Sequence, residues 1–231
     1  MPLDRQRIKV LCFDVDGTLS DTDDVMVNRL SSLLNRFRIV FPQLDVHRLS
    51  RRMVMSLESP AQYIYGIPDR LNLDKYLYRM FQWISHLGLY HRRTSHFGII
   101  PDVKQALVCL KECYRLSIVS ARDEHTTQLF LEHYQMTGWF EYMATAMTCM
   151  HTKPYPDPIL WVAKRMEVLP EQVLMIGDTT VDMRAAKAAG AQAVGVLSGF
   201  GEEQELIQSG ADLIVGSVAD LPKILCPQWE V

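Results

Sequence analysis

Short runs of β-branched and apolar residues alternate with helical segments from residue 98 onward, with few residues between one segment and the next. Strands are predicted at residues 10–13, 116–119, 143–146, 173–176, 193–196 and 213–215. Helices are predicted at residues 102–113, 124–133, 157–166, 182–189 and 202–208. Because strands joined by crossover helices run parallel, this alternation predicts an α/β fold in which helices cover both faces of a parallel sheet.

The chain between the first strand and residue 98 has a different pattern, which is almost entirely helical. Its predicted helices cover residues 25–37, 48–56, 60–65 and 73–87. A single crossover helix cannot use so much chain, so we predict an all-helical domain, residues 22–97, inserted after the first strand. The core domain then consists of residues 1–21 and 98–231, which is enough chain to fold by itself.

The composition excludes several classes of protein. A net charge of −3 and a pI near 6.2 give no basic field for nucleic acid, and no apolar run is long enough to span a membrane. The five cysteines include no C-x-x-C pair, and residues 1–13 do not resemble a secretory signal, so we expect a cytoplasmic protein. The insert holds eleven basic and six acidic residues, against 13 and 21 in the remainder. The ordinary interpretation of this excess of basic residues in the insert is a solvated surface. The alternative is that the insert helps to hold an anionic substrate.

Acidic and polar side chains follow four of the predicted strands at their carboxyl ends. Each has an ordinary explanation by itself, as part of a turn or as a helix cap. Ligands of parallel sheets bind at this edge, and buried like charges are retained mainly where a cation or a substrate balances them, so their joint occurrence favours a functional site. The residues of this predicted site are Asp14, Asp16, Ser120, Lys153, Asp178 and Asp182.

The chemistry of this set can be worked out from its residue types. Several carboxylates close together need a hard divalent cation, and ligation by oxygen alone favours Mg²⁺ over zinc. A carboxylate beside that cation can attack phosphorus and form an aspartyl phosphate, while Lys153 and Ser120 stabilise the phosphoryl oxygens. A second carboxylate two residues later can protonate the leaving oxygen and then accept a proton from water.

Four ordered motifs resemble those of the haloacid dehalogenase superfamily: DVDGTL at residues 14–19, Ser120 after a strand, Lys153-Pro154 before a helix, and GDTTVD at residues 177–182. The insert resembles the helical C1 cap of that superfamily, and the phosphoglycolate phosphatase-like branch is the most similar. The resemblance implies a Rossmann-like core of three layers. The second motif continues as Ala121-Arg122, where many relatives have Asn or Gly after the hydroxyl residue. Another departure is Pro101-Asp102-Val103, where the branch often has Pro-Gly-Val.

The resemblance also implies a role for each matching position. Asp14 is the implied nucleophile and a Mg²⁺ ligand, and Asp16 is the implied general acid and base, with its backbone carbonyl also reaching the metal. Asp178 is a further implied ligand and Asp182 supports the metal site. The residues implied to bind substrate are Thr18, Ser120, Ala121 and Lys153, and we expect Arg51 and Arg52 of the insert to grip an anionic leaving group.

These residues favour hydrolysis of a small phosphate monoester, such as a phosphoglycolate-like compound or a sugar phosphate. Asp16 argues against dehalogenation, which needs no acid at that position, and Lys75 is the only insert lysine available for phosphonate chemistry. A phosphomutase, a pyrophosphatase and a nucleotidase remain open, as does a catalytically silent member that binds a partner. We expect no nucleic-acid or membrane partner, and either a monomer or a homodimer. The segment Gly199-Phe200-Gly201 is predicted to be a turn.

Overall fold

A computed structural model describes residues 3–21 and 98–226 of this chain. These residues belong to one of the two compact units into which the chain divides, the unit that comprises Met1–Asp24 and Phe97–Val231. The predicted helical insert, with Arg51 and Arg52, lies outside the described residues. Its boundaries and its fold therefore stay predictions.

The described chain alternates between strand and helix as the sequence predicts. Its strands are β1 (Val10–Phe13), β2 (Arg115–Val119), β3 (Tyr142–Ala144), β4 (Val173–Gly177), β5 (Gln192–Val196) and β6 (Leu213–Val215). Its α-helices are α1 (Val103–Cys113), α2 (Glu124–His133), α3 (Asp157–Arg165), α4 (Thr180–Ala189), α5 (Glu203–Gln208) and α6 (Leu221–Leu225). Short 3₁₀ helices occur at Pro170–Gln172 and Val218–Asp220. None of the helices in this part of the chain is long and apolar enough to cross a membrane.

The six strands form one parallel sheet in the order β3-β2-β1-β4-β5-β6. This confirms the predicted Rossmann-like α/β core. β1 lies at the centre, where Val10 is opposite Arg115 of β2 on one side and Val173 of β4 on the other. The carboxyl ends of β1, β2 and β4 therefore meet at one edge, which is the edge where the sequence places the site.

Side chains of each strand alternate between two separate apolar layers, because successive residues of a strand point to opposite faces. Leu11 and Phe13 of β1 pack with α1, α2 and α6 on one face. Val10 and Cys12 pack with α3, α4 and α5 on the other. All four side chains are fully buried, and this central strand anchors the residues that follow it.

Asp21 and Gly98, the described residues on either side of residues 22–97, are neighbours. Asp21 N–H donates to the Gly98 carbonyl (3.0 Å), and Ile100 N–H donates to the Leu19 carbonyl (3.1 Å). A Cβ on Gly98 would lie 3.0 Å from the Cβ of Asp21, so a side chain there would crowd the crossing. Side-by-side exit and return is the geometry that an inserted domain requires.

The differences from the predicted boundaries have local causes. Helix α4 begins at Thr180 instead of the predicted residue 182, because Thr179 is its N-cap and forms a reciprocal capping box with Asp182. Asp102, which occupies the position of the branch's usual glycine, takes a left-handed φ of 62° just before α1. Helix α6 was not predicted, since its five residues carry too little periodicity to reveal it.

Candidate active site

Backbone hydrogen bonds that extend the sheet fix the first residues beyond β1 and β2. Asp14 N–H donates to the Ile176 carbonyl of β4 (2.9 Å), and Ser120 N–H donates to the Ala144 carbonyl of β3 (2.9 Å). Asp14 and Ser120 are both buried. The sheet itself therefore sets their directions, and no flexible loop intervenes.

Three aspartates meet at this edge. Asp14, Asp178 and Asp182 each offer one carboxylate oxygen, these oxygens lie within 4.8 Å of one another, and all three residues are buried. Carboxylates this close repel strongly in a medium of low dielectric, so such a cluster needs nearby positive charge.

Lys153 supplies part of that charge. Its Nζ lies 3.0 Å from Oδ1 of Asp14 and donates to Oδ1 of Asp182 at 2.6 Å, and its side chain is only 5% exposed. Burial alone would lower the pKa of Lys153, but the two carboxylates outweigh burial and raise it. Lys153 is therefore a permanent cation in this site.

The negative charge of Asp14 is offset less completely than the positive charge of Lys153. Burial raises the pKa of Asp14 to about 6, against the opposing effect of Lys153, and the charges of Asp182 and Asp16 add to the increase. An attacking carboxylate must be ionised. Lys153 alone is thus insufficient to keep Asp14 fully ionised, and a further cation beside it would complete the balance.

Both carboxylate oxygens of Asp182 already accept hydrogen bonds from protein donors. Its Oδ1 accepts from Lys153, and its Oδ2 accepts from both the backbone N–H (3.0 Å) and the hydroxyl (2.6 Å) of Thr179. A Cβ on Gly177 would lie 2.4 Å from the Asp182 carboxylate, so only glycine fits at the end of β4. In this arrangement Asp182 holds Lys153 against Asp14.

Asp178 is held by groups from two distant segments. Its Oδ1 accepts from the Thr18 hydroxyl (3.3 Å), and its Oδ2 accepts from the Phe200 backbone N–H (2.8 Å). A Cβ on Gly199 would lie 2.1 Å from Oδ2 of Asp178, and one on Gly201 would lie 2.1 Å from its carbonyl oxygen. The predicted turn at residues 199–201 thus forms one wall of the site. In the sequence, the only sign of this role is that two glycines, Gly199 and Gly201, are separated by a single residue.

Asp16 faces a partner that the sequence analysis did not identify. The guanidinium of Arg122 binds both carboxylate oxygens of Asp16: Nε donates to Oδ2 at 3.1 Å, and Nη2 donates to Oδ1. The backbone N–H of Arg122 also donates to the Ser120 hydroxyl (3.2 Å). The sequence shows a departure from the family pattern at Ala121, directly before Arg122, but it does not show the contact of Arg122 with a residue 106 positions earlier.

The donor set and its charge fit a hard divalent cation. The four carboxylates of Asp14, Asp16, Asp178 and Asp182 and the two cations Lys153 and Arg122 leave a net charge of −2, which one Mg²⁺ would neutralise. All the ligand atoms offered are carboxylate oxygens, which Mg²⁺ prefers. Asp14 and Asp178 are the carboxylates best placed to bind it. Asp182 already accepts from the Lys153 cation at 2.6 Å, whereas the hydroxyl and the backbone N–H that hold Asp178 carry no charge.

The structure brings most of the predicted site residues to one edge of the sheet. Asp14, Lys153, Asp178 and Asp182 are in mutual contact or close proximity there, and Ser120 follows the adjacent strand β2. The remaining predicted residues differ in their surroundings: Thr18 is buried against Asp178, Asp16 is paired with Arg122, Ala121 is exposed, and Arg51 and Arg52 lie outside the described residues.

Comparisons with known proteins agree with this geometry. Residues 11–196 match the family described as haloacid dehalogenase-like hydrolase. Over 94% of this chain, the sequence is 29% identical to a phosphoglycolate phosphatase of Nitrosococcus oceani (96% of that protein) and 26% identical to the pyrophosphatase PpaX of Anoxybacillus flavithermus (97% of that protein). A solved haloacid dehalogenase-like hydrolase from Bacteroides fragilis superposes with a TM-score of 0.71 at 28% identity, covering 93% of this chain and 99% of that one.

Proposed function

Because this chain belongs to the haloacid dehalogenase-like hydrolase family and is a hydrolase, we propose that it is a Mg²⁺-dependent phosphatase of small phosphate monoesters that acts through an aspartyl-phosphate intermediate. One observation carries the proposal. Asp14 lies beside Lys153 and within 4.8 Å of Asp178 and Asp182 at the carboxyl end of a parallel sheet. A buried carboxylate between a lysine and a cation-binding cluster suits attack on an anionic phosphorus centre.

The reaction follows from the positions of these side chains. A carboxylate oxygen of Asp14 forms a bond to phosphorus, the bond from phosphorus to the leaving oxygen breaks, and Asp16 supplies the proton that this oxygen takes. Water then attacks the aspartyl phosphate and gives its proton to Asp16, which frees phosphate and regenerates Asp14. Lys153 and the Ser120 hydroxyl bind the phosphoryl oxygens. A Mg²⁺ ion held by Asp14, Asp178 and the Asp16 backbone carbonyl would supply charge neutralisation at the transferring phosphoryl group.

The substrate class follows from the relatives and from the charge of the insert. The two relatives described above are named for action on phosphoglycolate and pyrophosphate, which are both small and strongly anionic. The insert is the basic part of this chain, with eleven basic and six acidic residues. We therefore assign the insert the role of a cap that helps to hold an anionic leaving group, with Arg51 and Arg52 as its candidate contacts. The free thiols of all five cysteines suit a cytoplasmic location.

Hydrolysis of 4-nitrophenyl phosphate by the purified protein, with Mg²⁺ and with EDTA, tests the proposal. We expect turnover that depends on Mg²⁺, and a loss of at least about a thousandfold in Asp14→Asn, because an amide cannot attack phosphorus. Equal rates for the wild type and this variant would remove the enzyme assignment and favour a silent, partner-binding protein. A panel of phosphorylated metabolites, pyrophosphate included, then ranks the phosphatase, pyrophosphatase, nucleotidase and mutase alternatives by kcat/KM.

A further inference from the structure

Arg122 is a buried arginine at a place where the proposed reaction assigns it no role. Its side chain is 4% exposed, whereas the Asp16 side chain that it binds is 25% exposed. Its guanidinium lies over the ring of Phe130, at 5.8 Å from the centroid. Its carbonyl accepts from Ala146 N–H (3.1 Å), and its own N–H donates to Ser120. Both the backbone and the side chain of Arg122 are thus held in place.

The contact between Arg122 and Asp16 is bidentate, or two-pronged. Nε and Nη2 of the guanidinium each donate to a different oxygen of the carboxylate. A planar guanidinium that binds both oxygens fixes the plane and the direction of a carboxylate, whereas a lysine would fix only its distance. The orientation of Asp16 is therefore determined by Arg122.

Positive charges other than Arg122 in the same site can also attract the Asp16 carboxylate. The Lys153 ammonium lies 3.0 Å from the Asp14 carboxylate. The negative charge of Asp16 is close enough to Asp14 to raise the pKa of Asp14. The same edge also carries the carboxylates that fit a divalent ion. Without a firm partner, the Asp16 carboxylate would be drawn to these positive charges, where it could not reach the leaving oxygen.

We propose that Arg122 is a positioning residue that keeps the Asp16 carboxylate away from Lys153 and the proposed Mg²⁺ site and directed to the leaving group. This inference rests on the proposed phosphatase function and adds a residue to it. Arg122 contacts no reacting atom in this account. Its effect passes entirely through Asp16, so it must appear in the two proton transfers of Asp16, and during formation of the aspartyl phosphate it must depend on the leaving group.

Substituted phenyl phosphates, ranging from 4-nitrophenyl to 4-methoxyphenyl phosphate, separate this role from a structural one. A good leaving group departs without a proton, whereas a poor one needs the acid. We compare kcat/KM, which reports on formation of the aspartyl phosphate and excludes its hydrolysis. In Arg122→Met we expect kcat/KM on the poorest leaving group to fall about tenfold to a hundredfold more than kcat/KM on 4-nitrophenyl phosphate, a part of the full effect of a general acid. Arg122→Lys keeps the charge without the two-pronged geometry, and we expect it to lie between the wild type and Arg122→Met.

Two further variants complete the design. Arg115→Met removes another two-pronged pair, that of Arg115 with Glu141 at the opposite end of β2, and should leave the leaving-group dependence unchanged. In an Asp16→Asn background, Arg122→Met should make the dependence no steeper, because the group through which it acts is already lost.

Specific outcomes overturn the inference. A uniform loss of kcat/KM over all leaving groups, no loss, or an additional loss in the Asp16→Asn background as large as in the wild-type background would each show that Arg122 does not act through Asp16. Should Arg122→Met fail to fold, Arg122→Lys decides by the same comparison. Failure of the wild type to hydrolyse any aryl phosphate or any member of the metabolite panel would overturn the phosphatase proposal and this inference with it, so the two failures are distinguishable.

Discussion

Lys153 lies between Asp14 and Asp182, with its ammonium 3.0 Å and 2.6 Å from one oxygen of each. The carboxylates and the lysine are all buried, so each depends on the others for the charge balance that water would otherwise give. Removing one member of such a group leaves an uncompensated buried charge, which is far more costly than losing a pair at the surface.

We predict that Lys153→Met lowers the free energy of unfolding by about 3–5 kcal/mol, measured by urea unfolding at pH 7 without Mg²⁺. Arg7→Met is the control, because both side chains of its ion pair with Asp4 are exposed, at 64% and 48%, and its loss should cost about 1 kcal/mol or less. Equal losses in the two variants would mean that Lys153 does not balance the acidic cluster.

At the scale of single elements, helix α2 begins with a titratable cap. Asp123 is the N-cap residue, and its carboxylate accepts from the Thr126 N–H (2.9 Å) and hydroxyl (2.6 Å). Burial alone would raise the pKa of Asp123, but these hydrogen bonds lower it below 3.8. A lowered pKa means that the stabilisation is present above pH 4 or so and is lost as the pH falls through the folded-state pKa.

Asp123→Ala should therefore cost about 1 kcal/mol of unfolding free energy at pH 7, and the difference from the wild type should shrink below about pH 4. Asp123→Asn keeps the cap without the ionisation, so its difference from Asp123→Ala should not change with pH. Urea unfolding of the three proteins at several pH values measures both differences. A pH-independent gap between the wild type and Asp123→Ala would contradict the assignment of a charged cap.

The loop after β5 gives a second prediction at this scale. A Cβ on Gly199 would lie 2.1 Å from the Asp178 carboxylate, so Gly199→Ala must displace a proposed metal ligand. We expect at least a tenfold increase in the Mg²⁺ concentration that gives half-maximal activity. Gly138→Ala is the control, because its φ of 83° strains a side chain while no atom lies within 4 Å. The control should lose about 1 kcal/mol of stability and keep its Mg²⁺ response, and the same Mg²⁺ response in Gly199→Ala would refute the proposal.

Comparison of individual elements shows what the sequence can predict. The sequence pattern predicted the bounds of helix α2 (residues 124–133) and of strand β1 (residues 10–13) as the structure has them. The residues that follow the strands predicted the central residues of the site. The pairing of Arg122 with Asp16 and the approach of residues 199–201 to Asp178 were not predicted. Both join residues far apart along the chain, and local patterns carry no information about such contacts.

At the scale of the whole molecule, the site carries an unbalanced negative charge within the core. Four carboxylates face the two cations Lys153 and Arg122, so a divalent ion should stabilise the folded protein in addition to serving the reaction. We predict that Mg²⁺ at a hundred times its dissociation constant adds about 2.7 kcal/mol to the free energy of unfolding.

Thermal unfolding with and without Mg²⁺ measures this stabilisation, and it needs no substrate. Asp178→Asn should lose most of the shift in Tm. Asp212→Asn should keep it, because Asp212 precedes β6 at the opposite edge of the sheet, where it pairs with Lys187. A wild type whose Tm does not respond to Mg²⁺, or an equal response in Asp178→Asn, would contradict the proposed ion site.

The proposed reaction requires Asp14 to carry the phosphoryl group during turnover. Mass spectrometry of the enzyme, quenched in acid while it hydrolyses a phosphate ester, detects that group. We expect one added phosphoryl group on the peptide that contains Asp14, absent without Mg²⁺ and absent in Asp14→Asn. Steady hydrolysis by the wild type with the phosphoryl group on another residue, or hydrolysis at the same rate by Asp14→Asn, would contradict it.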